Sequence, residues 1–319
     1  MSKLDTEALL GAYRRMKTIR EFEERLHLEI QKGQIAGFTH LYSGQEAVAV
    51  GVCDHLTNAD LIASTHRGHG HCIAKGCDVI GMMKEIYGRA DGLCKGKGGS
   101  MHIADFDKGM LGANAIVGGG PPLATGAAIA TKNAGQGHVT VSFGGDGSCN
   151  QGTVFEAMNL AVVLKLPTIF VFEDNGYSEH TGASYAVGSK DIAGRCRGFG
   201  MPAARVDGDD FFDVYAAMGT AVERARAGKG PSALECTTTR FFGHVDGDPQ
   251  RYRAKGDIEQ HRAERDCLKN FEAQVVREAW LDTQALRAVD DEVLALIDRA
   301  VEQAQAAAPP PLEELTTDV

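Results

Sequence analysis

Along the first thirty residues apolar side chains recur every third or fourth position: Leu9, Tyr13, Met16, Ile19, Phe22, Leu26 and Ile30. That spacing gathers them on one face and predicts a helix over 6–32, ended by Gly33. In LYSGQEAVAVGVCDHL (41–56) Ser43 stands three residues before Glu46, the pattern of a helix that opens with a capping box. Short strands are predicted at 61–64, 139–143, 168–172, 203–206 and 232–242, and helices at 78–88, 151–164 and 211–226. Pro121 and Pro122 open a helix of small residues that runs through Lys132. VDGDD (206–210) reads as a turn and helix cap, 257–306 as charged helix, and the proline-rich tail beyond it as a surface strap. Between 91 and 120 glycine is too dense for any period to emerge.

Strands that alternate with helices predict an α/β fold: a doubly wound, mostly parallel sheet flanked by helices. With no internal repeat, the chain reads as a single domain over 1–319, with an N-terminal helix in 1–33 and a C-terminal helical extension and tail in 257–319. An apolar fraction of 43% in 319 residues supplies a sizeable core. The net charge of −10, with no long basic run, argues against nucleic acid as a partner. No apolar run approaches the roughly 18 residues that read as a membrane span, and MSKLDTEALLGAYRRMK lacks the apolar stretch of a secretory signal. A cytoplasmic location is expected, with eight scattered cysteines reduced.

The candidate chemistry lies in GGDGSCNQG (144–152), between a predicted strand and a predicted helix. Two parallel strands joined by a helix end at the same sheet edge. Asp146 after the first and Asn175 after the second therefore become neighbours. A carboxylate oxygen, an amide oxygen and the Tyr177 carbonyl are hard ligands that suit Mg²⁺, and the backbone N–H groups of Gly147 and Ser148 at a helix start suit a phosphate. GDG alone is more often a plain turn. Neither a G-x-x-x-x-G-K-[ST] loop nor a clean G-x-G-x-x-G is present.

GDGSCNQGTVFEAMNLAVVLKLPTIFVFEDNGY (145–177) resembles the thiamine diphosphate motif, with Asp174-Asn175 where that motif has an Asn pair. REFEERLH (20–27), STHRGHGHCIAKG (64–76), GKGGSMH (96–102), GANAIVGGG (112–120), RVDGDD (205–210) and RFFGHVDGDPQRYR (240–253) extend the likeness over nearly the whole chain. It resembles the alpha subunits of the E1 components of 2-oxo acid dehydrogenase complexes. Within them HRGHGH and GHVDGD point to the acetoin dehydrogenase branch.

The resemblance implies thiamine diphosphate and Mg²⁺ as cofactors. Asp146, Asn175 and the Tyr177 carbonyl would hold the metal, with Gly147, Ser148, His66, Arg67 and Arg240 around the diphosphate. Val117 would touch the aminopyrimidine ring, with Ala115 where the family often has glycine. His244 and His69 would line the reaction centre. Val245 stands where regulated relatives carry a phosphorylated serine, so that control is expected to be absent. The glutamate that activates the cofactor would come from an E1 beta subunit, giving an α₂β₂ heterotetramer that serves a lipoyl-bearing E2 component. The expected reaction is cleavage of acetoin, with acetaldehyde released and an acetyl unit passed to E2. Oxidative decarboxylation of pyruvate or a branched-chain 2-oxo acid is the first alternative, and a non-catalytic phosphate-binding regulator the second.

Plainer readings stand beside these. His66, His69 and His71 crowd together as in a zinc site, but their spacing fits no established zinc pattern. His71 reads as a structural polar residue, KGKGGSMH (95–102) as a structural loop, and a lone His such as His244 is more often structural than catalytic.

Overall fold

The computed structural model describes residues 4–318. Residues 1–3 of the predicted 1–33 segment and residue 319 of the predicted 257–319 extension lie outside the described residues. In chain order the helices are α1 (Thr6–Gln31), α2 (Glu46–Cys53), α3 (Gly68–Lys75), α4 (Val79–Ile86), α5 (Gly120–Ala134), α6 (Gly152–Val163), α7 (Ala183–Ala186), α8 (Ile192–Gly198), α9 (Phe211–Arg226), α10 (Asp257–Glu264), α11 (Cys267–Arg277) and α12 (Thr283–Ala306). The strands are β1 (Leu61–Ala63), β2 (Met110–Gly112), β3 (Thr140–Gly145), β4 (Thr168–Asp174), β5 (Tyr177–Ser178), β6 (Thr181–Gly182), β7 (Ala203–Asp207) and β8 (Ser232–Thr237).

Six strands form one sheet in the order β2-β1-β3-β4-β8-β7, with every pair parallel. The central strands β3 and β4 are buried almost end to end, as continuous apolar runs must be when helices cover both faces. Alternation then sorts β4: Ile169 and Val171 join the larger core with α1, α2, α9 and α12, while Phe170 and Phe172 join the smaller one with α6 and α8. β1 leads outward to β2 on one side and β3 leads to β4 on the other, so the connections part between β1 and β3. A crevice opens there, outside the carboxyl ends of the strands.

α1 buries Leu9, Tyr13, Met16, Ile19, Phe22 and Leu26, the face its spacing predicted, with Asp5 capping its first turn. Asp210 caps α9 through the amides of Phe212 and Asp213, as VDGDD predicted.

Several boundaries differ from the expectation. α2 starts at Glu46 with Gln45 at its cap, and Ser43 caps nothing: its Oγ is buried without a partner. The Glu46 carboxylate reaches back to the Gly44 amide and pairs with Arg20. The strand predicted over 232–242 ends at Thr237, because the following residues leave the sheet to cover α2, with Phe241 N–H donating to Ser43 O at 3.0 Å. The helical region expected over 257–306 is built of three helices, the second and third started by the caps Asp266 and Asp282. α3 and β2 carried no periodic signal. α3 is GHGHCIAK, rich in a poor helix former, and only tertiary packing explains its glycines. A methyl on Gly70 would run into the Tyr42 ring, and one on Gly68 would lie 2.7 Å from the Ala113 side chain.

The glycine-dense loop after α4 is organised by one carboxylate. Fully buried Glu85 accepts the amides of Cys94, Gly96, Gly98 and Gly99 at 2.7–3.0 Å. The tail lies across this loop, with Lys95 and Lys97 gripping Asp318 and Lys97 also Thr317. Glu85→Ala strands four amides at once, at a cost of about 3 kcal/mol or more. Urea unfolding should show that loss, with faster protease cleavage between residues 94 and 104.

Candidate functional site

The crevice between β1 and β3 is walled by the segments that end the strands. Residues 64–67 follow β1, 143–148 end and follow β3, 175–179 follow β4, and Arg240 and His244 follow β8, with the loop 114–121 along the rim. Ten of the residues singled out from the sequence face it together: His66, Arg67, Val117, Asp146, Gly147, Ser148, Asn175, Tyr177, Arg240 and His244. The eleventh, His69, does not. It lies on α3 and is fully buried, its Nδ1 3.0 Å from Glu23 and its Nε2 2.9 Å from Ser100 Oγ. The helix that the sequence concealed turns this ring away from the crevice, so His69 ties α1 to the glycine-rich loop.

Asp146 is 2% exposed, and its Oδ2 has no hydrogen-bond partner among the described residues. Burial, with the neighbouring Asp174 carboxylate adding to it, pushes its carboxyl up to about 7. A carboxylate held in this way is set to receive a cation. Asn175 is turned by its partners: its Nδ2 donates to Gln45 Oε1 at 3.0 Å, while its Oδ1 accepts the Tyr177 amide at 3.3 Å. Gly147 and Ser148 begin a single 3-10 turn, Ser148–Asn150, and α6 starts only at Gly152. The helix start predicted at Gly147 is thus one tight turn. Ser148 Oγ closes it against Gly145, and any side chain at Gly147 would strike Ser178.

Opposite these oxygens stand two buried guanidinium groups. Arg67 donates to Leu41 O at 2.9 Å and to His244 O at 2.6 Å. Arg240 donates to Phe242 O and to the Tyr252 hydroxyl. Neither is ion-paired with a carboxylate among the described residues. Burial, then the charge of Arg240, holds Arg67 down to about 9, and burial lowers Arg240 as well. Buried charges are ordinarily paired. The cleft thus sets two buried positive charges without counter-ions against the unpartnered oxygen of Asp146.

Behind Ser64 and Phe143, which line the cleft, lies a buried polar network that was only partly legible from the sequence. Buried Glu173 receives the Tyr42 hydroxyl and lies 3.1 Å from His71 Nε2, while His71 Nδ1 meets Ser64 Oγ at 2.7 Å and its ring stacks on Phe143. His71 is structural, as the plain reading had it. With His69 and His71 so engaged, the three histidines of HRGHGH face three separate surroundings. Gln45 and Glu173 were missed: Glu173 directly follows the apolar run TIFVF, a signal of a buried polar role, whereas Gln45 lies in the polar stretch SGQE and carries no such signal. His40 was missed too: its ring packs edge-on against His66 and His244 at 4.6 and 4.9 Å.

A doubly wound α/β protein with an unpartnered buried carboxylate and two unpaired buried arginines lining one cleft at its switch point is the class that this geometry defines. A family profile described as Dehydrogenase E1 component matches residues 14–313, and the chain belongs to that family. It is 54% identical over 316 residues to the alpha subunit of acetoin:2,6-dichlorophenolindophenol oxidoreductase of Cupriavidus necator, covering 99% of this chain and 95% of that one. The corresponding subunit of Bacillus subtilis is 50% identical over 99% of this chain and 94% of its own. The pyruvate dehydrogenase E1 component subunit alpha of Rhizobium meliloti is 40% identical over 100% and 92%. No helix among the described residues is long and apolar enough to cross a membrane.

Proposed function

We propose that this chain is the alpha subunit of an acetoin-cleaving E1 enzyme that binds thiamine diphosphate and Mg²⁺. The observation that carries the cofactor reading is the pairing of opposite needs in one cleft: an unpartnered, buried Asp146 oxygen facing two buried arginines without counter-ions. A divalent cation with a diphosphate satisfies both. Asp146, Asn175 and the Tyr177 carbonyl supply oxygens for the cation. Arg67 and Arg240, with the Gly147–Ser148 turn and His66, supply charge and hydrogen bonds for the diphosphate. When bound, thiamine diphosphate supplies the electron sink for cleavage next to a carbonyl. This chain's residues hold it, exclude water from its charged end, and present His66 and His244 to the substrate.

A beta subunit as partner is supported by the rim of the cleft. Ile116 is 72% and Val117 54% exposed there, which is unusual for apolar side chains beside a polar site and fits cover by another surface. Acetoin as substrate is supported by the two relatives of 50% identity or more. A lipoyl-bearing E2 as acyl acceptor and a cytoplasmic location complete the proposal. Dye reduction by the alpha–beta complex with Mg²⁺ and thiamine diphosphate tests it. Turnover with acetoin at least about tenfold above that with pyruvate, in kcat/KM, is expected. A preference for pyruvate would keep the site and discard the substrate.

A further inference from the structure

Four charged side chains line the cleft: Arg67, Asp146, Arg240 and Glu179. The first three are taken up by the cation and the diphosphate proposed above. Glu179 is left over, and its carboxylate makes no ion pair and no hydrogen bond among the described residues.

The backbone fixes its place. β5 and β6 pair antiparallel, Tyr177 with Gly182 and Ser178 with Thr181, so Glu179 and His180 are the two-residue tip of a hairpin. The favoured tips of that length begin with a residue at positive φ, ordinarily glycine. Glu179 holds this position with φ of 53°. A residue with a side chain is strained there and persists only where its surroundings impose the shape. Here they do. Ser178 occupies the space beside Gly147, which leaves no room for a side chain at that glycine. The Tyr177 and His180 rings pack against Tyr252 at 5.1 and 5.2 Å. At the base of the hairpin the Ala183 N–H donates to Gly176 O at 2.8 Å. The tip is thus bedded on the turn assigned to the diphosphate, and Glu179 is exposed where the cleft opens.

We propose that Glu179 is a specificity-determining residue of this chain, selecting a neutral hydroxyketone over an anionic 2-oxo acid. The inference rests on the acetoin reading. The two substrate classes differ next to the reacting carbonyl: a 2-oxo acid carries a carboxylate there, acetoin a carbinol. With a diphosphate on Arg67 and Arg240, no free cation lines the cleft to receive a substrate carboxylate. The remaining charge, on Glu179, repels that anion and accepts a hydrogen bond from the carbinol hydroxyl. One side chain so disfavours the wrong substrate and favours the right one.

The test compares kcat/KM for acetoin and for pyruvate in alpha–beta complexes saturated with Mg²⁺ and thiamine diphosphate. Glu179→Gln keeps the size of the side chain and removes its charge. The acetoin-to-pyruvate ratio should fall about tenfold or more, with the gain for pyruvate mostly in KM. Glu179→Asp keeps the charge and should retain the preference, which separates the charge from the shape of the turn. A second readout is salt. Screening weakens repulsion between charges, so added salt should raise kcat/KM for pyruvate more in wild type than in Glu179→Gln. Affinity for Mg²⁺–thiamine diphosphate, read by calorimetry, should be the same in both. A Glu179→Gln complex with the wild-type ratio and salt response, or one that loses cofactor affinity, overturns the inference and leaves the acetoin reading standing. A wild-type complex that prefers pyruvate overturns that reading and the inference with it.

Discussion

Asp146→Asn should abolish tight cofactor binding and, in the same protein, raise the stability of the cofactor-free chain. The carboxylate is the only formal charge among the three oxygens assigned to the cation, and the amide that replaces it offers one neutral oxygen. Affinity for Mg²⁺–thiamine diphosphate should fall at least about a hundredfold, near 3 kcal/mol, as read by calorimetry on the alpha–beta complex, and acetoin turnover should fall with it. The stability effect has the opposite sign. The Asp146 carboxyl titrates near 7 in the folded chain, above its usual 3.8, because burial and Asp174 disfavour its charge. Its cost to the fold is absent below pH 4, grows as pH rises, and is complete above about pH 7. The cofactor-free variant should therefore melt a few degrees higher than wild type at pH 8 and at the same temperature near pH 4. Equal melting at pH 8 would show that Asp146 carries no such cost.

Arg67→Lys is the second large effect, although the charge is kept. Arg67 spans two carbonyls on different segments, Leu41 before α2 and His244 after β8, and still presents charge to the cleft. An ammonium on a flexible stem cannot hold that fork. Binding of inorganic pyrophosphate with Mg²⁺ should weaken about tenfold or more, and kcat/KM for acetoin about a hundredfold, because His244 loses its anchor together with the anion site. Calorimetry with pyrophosphate separates the two losses. A variant that binds pyrophosphate like wild type and fails only in turnover would confine Arg67 to positioning His244.

How far the chain could be read depended on how local the cause was. β3 and β4 were legible as short apolar runs bounded by Gly, Pro or Asn, α6 as the helical pattern between them, and a β-α-β unit of that length has one handed solution. Asp146 and Asn175 followed from that unit alone. Arg67, Arg240 and His244 came only with the family resemblance, since no local pattern separates a cleft arginine from a surface one. α3 and β2 were hidden because glycines erase the periodic signal: Gly70 and Gly68 are required by close contact with Tyr42 and Ala113, and Gly109, just before β2, by the carbonyls of Asp60 and Asn58.

His69 and His40 show the same division from the other side. Both are histidines in polar, glycine-containing segments, and nothing within either segment says which way the ring points. An unrecognised helix sent His69 to Glu23 and Ser100, and a crossing of three loops brought His40 against His66 and His244. By itself the sequence determined the alternation of strands and helices, the parallel sheet, and the edge at which Asp146 and Asn175 meet, because those follow from periodicity and chain connectivity over tens of residues. Only the tertiary structure decided which charges are left without counter-ions and which imidazoles share a wall, because burial and partners are set by contacts between segments as much as two hundred positions apart.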